Sequence, residues 1–211
     1  MTHPEDTPLS KSAFQKIADI NSADMERLEI YVSLLSAWQQ RMNLVSTSSL
    51  KDIWRRHMLD STQLKNLILP TDKTILDFGS GAGFPGLVLG IILSVPIHLV
   101  ESNARKCSFL REVARKTDAN VVIHHGRIEA LDPFPADVIT ARALASLDKL
   151  LNYAQPFLAE NSRCLFLKGL KSDEELTESR KKWKIIVTEA KSLSNASGTI
   201  LTIEGISRHH V

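Results

Sequence analysis

Between residues 77 and 86 the chain reads Asp-Phe-Gly-Ser-Gly-Ala-Gly-Phe-Pro-Gly. The run Thr74-Ile75-Leu76 leads into it, and an apolar stretch, Leu87–Leu93, follows. Glycine tolerates the positive φ of a tight turn, and without a Cβ its backbone can lie close to a ligand. A buried strand, a glycine-dense turn and a helix are therefore predicted in that order. Such a turn aims the free N–H groups and the positive dipole end of the new helix at a bound group. An adenosine-containing cofactor is what this geometry cradles.

The pattern on both sides supports an α/β fold. From Thr74 onward, apolar runs predict strands at about 74–79, 96–101, 120–125, 136–141, 162–168, 184–190 and 199–204. Helices are predicted at about 84–93, 103–117, 146–159 and 172–183, the last opened by Ser172 and Glu175 at capping-box spacing. Strands alternating with helices form a parallel sheet covered on both faces. The link Ser192–Gly198 is too short for a parallel crossover, so the seventh strand must run antiparallel.

Before residue 73 the apolar periods are helical. A helix is predicted from Leu9 to Asn21, with Ser12 and Gln15 as its capping box, after a frayed end over residues 1–8. A second fits residues 22–42, where Met25, Leu28, Val32, Leu35 and Trp38 make one apolar stripe. The hydroxyl-rich Asn43–Ser49 breaks the pattern. A third helix then runs from Leu50 to Leu69, with Ile53, Trp54, Met58 and Leu64 turned inward. The chain thus divides into a helical extension, 1–72, and a cofactor-binding core, 73–211, joined as one compact unit.

Composition narrows the setting. Net charge is only +2, but residues 102–127 hold six Lys/Arg against two acids, and 163–191 hold eight against five. These segments are candidate contacts for phosphate. No apolar run is long enough to span a membrane, and the first residues lack the pattern of a signal peptide. Two cysteines make no disulfide framework, so a reducing cytoplasm is the expected location. No His or Cys spacing suggests a metal.

The loop fits two cofactors. Gly81–Gly86 satisfies the dinucleotide fingerprint G-x-G-x-x-G. Asp77-x-Gly79-x-Gly81-x-Gly83 also resembles the first motif of class I S-adenosylmethionine-dependent methyltransferases. Asp77, at the strand's end, would repel a pyrophosphate but not a sulfonium and an ammonium. Glu101, ending the second strand, can accept ribose hydroxyls in either case. A reductase of this size would need a Tyr-x-x-x-Lys pair, but position 157, four beyond Tyr153, is Phe. S-adenosylmethionine is the cofactor these features select.

The acceptor is narrowed by what is missing. Amino-methyltransferases carry Asn/Asp-Pro-Pro-aromatic after the fourth strand, where this chain has Thr140-Ala141-Arg142-Ala143. Cytosine C5 chemistry needs a thiolate, yet Cys164 sits mid-strand and Cys107 inside a helix. A purine N7 offers an in-plane lone pair and has no proton to lose, so alignment alone can supply much of the rate.

The chain resembles the RsmG (GidB) family, bacterial methyltransferases that form N7-methylguanosine in small-subunit ribosomal RNA. The resemblance covers about residues 25–204. It rests on Trp38 with Asn43-Leu44-Val45-Ser46, Arg56-His57-x-x-Asp60-Ser61, Gly79–Gly86, Arg127-Ile128-Glu129, Arg142-Ala143 and Lys168-Gly169. It implies a Rossmann-like class I fold, with S-adenosyl-L-methionine as cofactor and guanine 527 of 16S rRNA, free or in the small subunit, as target. A monomer without metal or membrane is expected. On this reading Asp77, Gly79, Gly81, Gly83, Phe84, Glu101, Ile128, Glu129 and Arg142 hold the cofactor, with Asp77 bracing the loop or meeting the methionine ammonium. Arg142, Lys168 and His57 position the reactants, while Arg55, Arg56, Lys168 and Lys171 contact RNA. The rival readings are a small-molecule methyltransferase and a catalytically silent RNA-binding module. Residues 205–211 receive no role.

Overall fold

The structure, a computed structural model, describes residues 7–209. Residues 1–6 of the expected frayed end, and His210 and Val211, lie outside that range.

Seven strands form one sheet: β1 Ile75–Phe78, β2 Ile97–Glu101, β3 Val121–His125, β4 Ala136–Arg142, β5 Leu158–Lys168, β6 Trp183–Lys191 and β7 Thr199–Arg208. Their order is β3-β2-β1-β4-β5-β7-β6. β1 to β5 are mutually parallel, and β7 lies antiparallel between β5 and β6. The order reverses at β1, so the C-terminal ends of β1 and β4 open a crevice at the switch point. Strands β5 and β7 extend beyond the predicted bounds, and β7 takes up residues 205–208. Outside the extension the sheet is covered by α5 Gly86–Ile92, α6 Ala104–Thr117, α7 Leu147–Ala154 and α8 Ser172–Arg180.

The extension folds as α1 Lys11–Ala18, α2 Ser22–Gln39, α3 Thr47–Leu50 and an irregular helical segment over residues 54–67. Ser10, not Ser12, caps α1: its Oγ accepts the Ala13 N–H at 3.2 Å. Met25, Leu28, Tyr31 and Leu35 of α2 are buried, and Phe14, Leu28 and Tyr31 share one core with Leu87, Leu99 and Phe109. Arg27 fixes the docking. Its Nε, Nη1 and Nη2 donate to the carbonyls of Thr117, Ile91 and Asp118, each at 2.6 Å, closing the C-terminal ends of α6 and α5. A guanidinium supplies several donors in a fixed fork, which suits carbonyls that helices leave unpaired at their ends.

The third predicted helix is not continuous. After α3 the chain makes a π turn over Trp54–Leu59, a short α4 over Asp60–Thr62 and a 3₁₀ turn over Gln63–Leu67. Such wide turns occur frequently at functional sites, and this one carries Arg56 and His57. The predicted capping box of α8 also fails. Ser172 Oγ is buried without a partner, and Glu175 instead accepts the Leu147 N–H at 2.6 Å, serving the first turn of α7.

Candidate functional site

The glycine loop takes the predicted turn. Gly79, Gly81 and Gly83 have φ of 61°, 59° and 100°. A Cβ on Gly83 would lie 2.6 Å from Tyr31 Oη and 2.8 Å from the Leu87 side chain, so glycine is required there for space as well as conformation. A Cβ on Gly81 would meet nothing nearer than the Gly79 carbonyl at 3.7 Å. The loop is therefore open at Gly81, whereas Gly79 is covered by the Leu144 side chain, which a Cβ there would meet at 2.6 Å.

Glu101 joins loop and sheet. Its Oε2 accepts the Gly81 N–H at 2.9 Å and its Oε1 the Asn103 N–H at 2.7 Å. A carboxylate oxygen has two lone pairs, so each retains capacity for a hydroxyl donor. Ile128, buried, and Glu129, exposed, follow β3 in a single 3₁₀ turn. Its own backbone N–H and the Tyr153 hydroxyl hold the Glu129 carboxyl below the usual range.

Two residues predicted to hold cofactor lie beneath the loop instead. Asp77 has no exposed surface; its Oδ1 accepts from Thr140 Oγ1 at 2.7 Å, while Oδ2 is buried without a hydrogen bond. A Cβ on Gly86 would come within 2.7 Å of Oδ2, so Asp77 sits directly against the start of α5. The carboxylate thus touches the loop from beneath, where the helix begins. Burial pushes its carboxyl up to about 6, against the pull of Ser80, Thr140, the Gly86 N–H and Arg142. Phe84, 4% exposed, likewise packs rather than lines: its ring lies between Tyr31 at 5.3 Å and His57 at 4.5 Å, with the Arg142 guanidinium 5.0 Å from its centroid. Tyr31, absent from the predicted site, donates to the Ala82 carbonyl and so ties α2 to the loop.

Beside the loop lies an open cleft of about 770 Å³. Its lining comes from the start of α3, the π turn, the segment after β4, the C-terminal end of β5 with the start of α8, and the β6–β7 loop. Arg142, in its wall, gathers the hydrogen bonds on the side nearest the loop. Nη1 donates to Asp60 Oδ2 at 3.0 Å and to the Arg56 carbonyl at 3.1 Å, and Nη2 to His57 Nδ1 at 2.7 Å. A guanidinium only donates, so Nδ1 must accept; the ring proton then belongs on Nε2, facing Ser49 Oγ at 2.9 Å. Burial, with Arg142 and Arg56 nearby, lowers the His57 pKa to about 3. His57 is thus a neutral support for Arg142. Asp60 Oδ1 accepts from Ser194 Oγ at 2.5 Å and Gln63 Nε2 at 3.0 Å. Gln63 Oε1 accepts the Leu193 N–H at 2.8 Å, which moors the β6–β7 loop across the cleft.

The remaining predicted residues divide. Arg56, Lys168 and Lys171 line the cleft. The Lys168 side chain is only 9% exposed, pairs with Glu175 Oε2 at 2.6 Å and donates to the Ala145 carbonyl at 3.0 Å. It belongs to the cleft wall rather than to a phosphate-facing surface. Arg55 is not brought to the cleft; it pairs with Asp52 at 2.9 Å and donates to the Thr7 carbonyl at 2.8 Å. Both cysteines are buried with thiols pushed above their ordinary range by burial, which removes a thiolate from the chemistry. Among the described residues no group of three or more His, Cys, Asp or Glu is gathered for a metal, and no helix is long and apolar enough to cross a membrane.

The strand order, the antiparallel strand beside the edge and the glycine loop after β1 define a Rossmann-like methyltransferase fold. Solved structures agree on that fold. Ribosomal protein L11 methylase from Lactobacillus delbrueckii subsp. bulgaricus aligns with a TM-score of 0.55 at 18% identity, over 71% of this chain and 79% of that one. M. jannaschii TYW2 in complex with AdoMet gives 0.57 at 14% identity, over 81% and 80%. The chain belongs to the GidB family, rRNA small subunit methyltransferase G, whose model matches residues 24–203. It is 50% identical to the Ribosomal RNA small subunit methyltransferase G of Paramagnetospirillum magneticum over 90% of this chain and 92% of that protein. With its Rhodospirillum rubrum counterpart it shares 46% identity over 95% and 100%.

Proposed function

We propose that this protein transfers a methyl group from S-adenosyl-L-methionine to N7 of a guanine in 16S rRNA, guanine 527 in the family's numbering of its target. The observation that carries the acceptor is the condition of the side chains next to the loop. His57 is neutral and engaged at both nitrogens, and both oxygens of Asp60 are occupied. A cleft whose nearest acid–base groups are tied to one another suits an acceptor that loses no proton. Purine N7 is such an acceptor. The 16S target and cytoplasmic setting are the reading that family membership supports.

The residues present fit the cofactor. The open face of the loop at Gly81 leaves room for it, and Glu101 presents an acceptor-only carboxylate suited to ribose hydroxyls. Gly79, Gly81, Ile128 and Glu129 would complete the holding surface. When bound, the cofactor supplies an electrophilic methyl on a sulfonium. The chain's own part is alignment: His57 and Asp60 fix the Arg142 guanidinium at the border between loop and cleft, and Phe84 backs it. Well-oriented positioning can lower a barrier by roughly 7–11 kcal/mol. The target base must leave its stack to enter the cleft, and Arg56 and Lys171 at the cleft are candidate phosphate contacts.

The test is methyl label from S-adenosylmethionine offered to 30S subunits, free 16S rRNA and a metabolite extract, with the modified nucleotide mapped. N7-methylguanosine in the RNA is the expected product. Label in metabolites alone would establish the small-molecule reading. Intact cofactor binding without transfer to any of the three would leave a silent RNA-binding module.

A further inference from the structure

Lys168 ends β5 and Glu175 stands on α8, and the two meet 2.6 Å apart in the wall of the cleft. Neither is used up by the contact. An ammonium has three N–H groups; one side of Lys168 meets Glu175 and another donates to the Ala145 carbonyl. Glu175 Oε2 takes both the Lys168 contact and the Leu147 N–H, while Oε1 accepts no hydrogen bond among the described residues. The cleft is therefore offered a donor and an acceptor side by side.

With its N7 side turned toward the glycine loop, guanine matches that order. On its pairing edge guanine presents the O6 acceptor next to the N1–H donor, with the N2 amine beyond. Adenine held the same way round presents the reverse, an N6 donor next to the N1 acceptor, and would set like against like. The sheet places the pair suitably. β1, β4 and β5 are consecutive neighbours, and strands are spaced by roughly 4.8 Å. Lys168 thus lies about two strand spacings to the side of the glycine loop, with Arg142 between. A purine lying across this interval can turn its N7 side toward the loop and its pairing edge toward Lys168 and Glu175.

We infer that Lys168 and Glu175 read the pairing edge of the target base, Lys168 donating to O6 and Glu175 accepting from N1–H and the N2 amine. Glu175 is then a specificity-determining residue, an assignment that rests on the guanine-N7 reading. The test uses the full-length protein with 16S rRNA carrying guanosine or inosine at the target position. Inosine keeps N7, O6 and N1–H but lacks the N2 amine. For the wild-type protein kcat/KM should be lower for inosine, by about fivefold or more, within the range one lost base-edge contact commands. In Glu175→Gln, kcat/KM for guanosine should fall at least about tenfold, and the guanosine/inosine ratio should drop toward unity. Glutamine can still accept the Leu147 N–H, and the ratio does not depend on the fraction of protein folded. A ratio unchanged by the substitution, with wild-type protein active on guanosine, would overturn the assignment alone. Wild-type protein inactive on guanosine RNA would overturn the underlying reading, and the assignment with it.

Discussion

The glycine loop and the cleft beside it are held by opposite means. In the loop, bonds are mostly between backbone groups: Gly83 N–H to the Ser80 carbonyl at 2.6 Å within the turn, and Ser80 N–H to the Val100 carbonyl at 3.0 Å on the neighbouring strand. In the cleft, side chains reach across the chain: Arg142 to His57 and Asp60, Ser194 to Asp60, Gln63 to Leu193. A backbone turn of three left-handed glycines admits few substitutions. A side-chain network can be cut one bond at a time while the fold survives. Binding of the donor is therefore inseparable from the stability of the core, whereas handling of the acceptor is separable from it.

Gly83→Ala should show the largest effect, because it attacks the loop at its least tolerant point. The added Cβ would sit 2.6 Å from Tyr31 Oη in a backbone at φ 100°. A non-glycine residue in such a conformation costs of order 1–3 kcal/mol, and overpacking a core adds about 1–3 kcal/mol. Unfolding by urea should shift to much lower denaturant, and cofactor affinity measured by calorimetry should fall with it. An unshifted midpoint would mean that the loop yields more freely than its contacts imply.

The border between the two regions can be probed through pH. His57 stays neutral in the folded protein down to about pH 3, while an unfolded imidazole gains its proton near 6.5. Between these values the unfolded chain holds the extra proton, so stability falls as pH falls, by about 1.4 kcal/mol per unit. Asp77 acts in the opposite sense. Folded, it keeps its proton up to about pH 6; unfolded, it releases it near 3.8. In that window the folded chain holds the extra proton, and stability falls as pH rises by about the same 1.4 kcal/mol per unit. The two slopes oppose each other between about pH 4 and 6. Relative to wild type, Asp77→Asn should make stability drop more steeply on acidification, and His57→Asn should tilt the profile the other way. Denaturant unfolding at several pH values reads both. Parallel profiles for all three proteins would show that neither group titrates as its burial dictates.

The same contrast explains what could be read from the sequence. The glycine loop, the place of Glu101 at the end of β2 and the succession of strands and helices were legible because each is a local pattern. Tyr31 was missed although Leu28, Tyr31 and Leu35 have helical spacing; Val32, half-buried one position away, took its place on the stripe. The π turn was illegible, because Ile53, Trp54, Met58 and Leu64 are too few apolar positions to tell a turn closed four residues on from one closed five residues on. Ser172 and Glu175 have capping-box spacing, but Glu175 finds a better-placed N–H on α7 and a cation on β5. Ser49, Gln63, Ser194 and Glu175 entered the site only with the structure. Ser194 meets Asp60 across 134 positions and Gln63 meets Leu193 across 130, and contacts at such separation leave no period in the chain.

Gln63→Ala should give the smallest change and the sharpest separation of the two regions. Gln63 binds the β6–β7 loop through the Leu193 N–H and Ser192 Oγ, and binds Asp60 through its amide nitrogen. The loop lies at the surface, so water can replace the amide's bonds to it, and the cost to folding should be about 0.5–1.5 kcal/mol. Cofactor affinity should not move, since no bond of Gln63 reaches the glycine loop or Glu101. What should change is the far wall of the cleft: Ser194 and Asn195 lose their fixed position, and KM for RNA should rise by a few fold, with kcat nearly constant. Steady-state methylation of 16S rRNA beside cofactor titration measures both quantities on one preparation. A parallel loss of cofactor affinity would show that the cleft network reaches beneath the loop, through Asp60, Arg142 and Phe84, and that donor and acceptor sides form one cooperative unit.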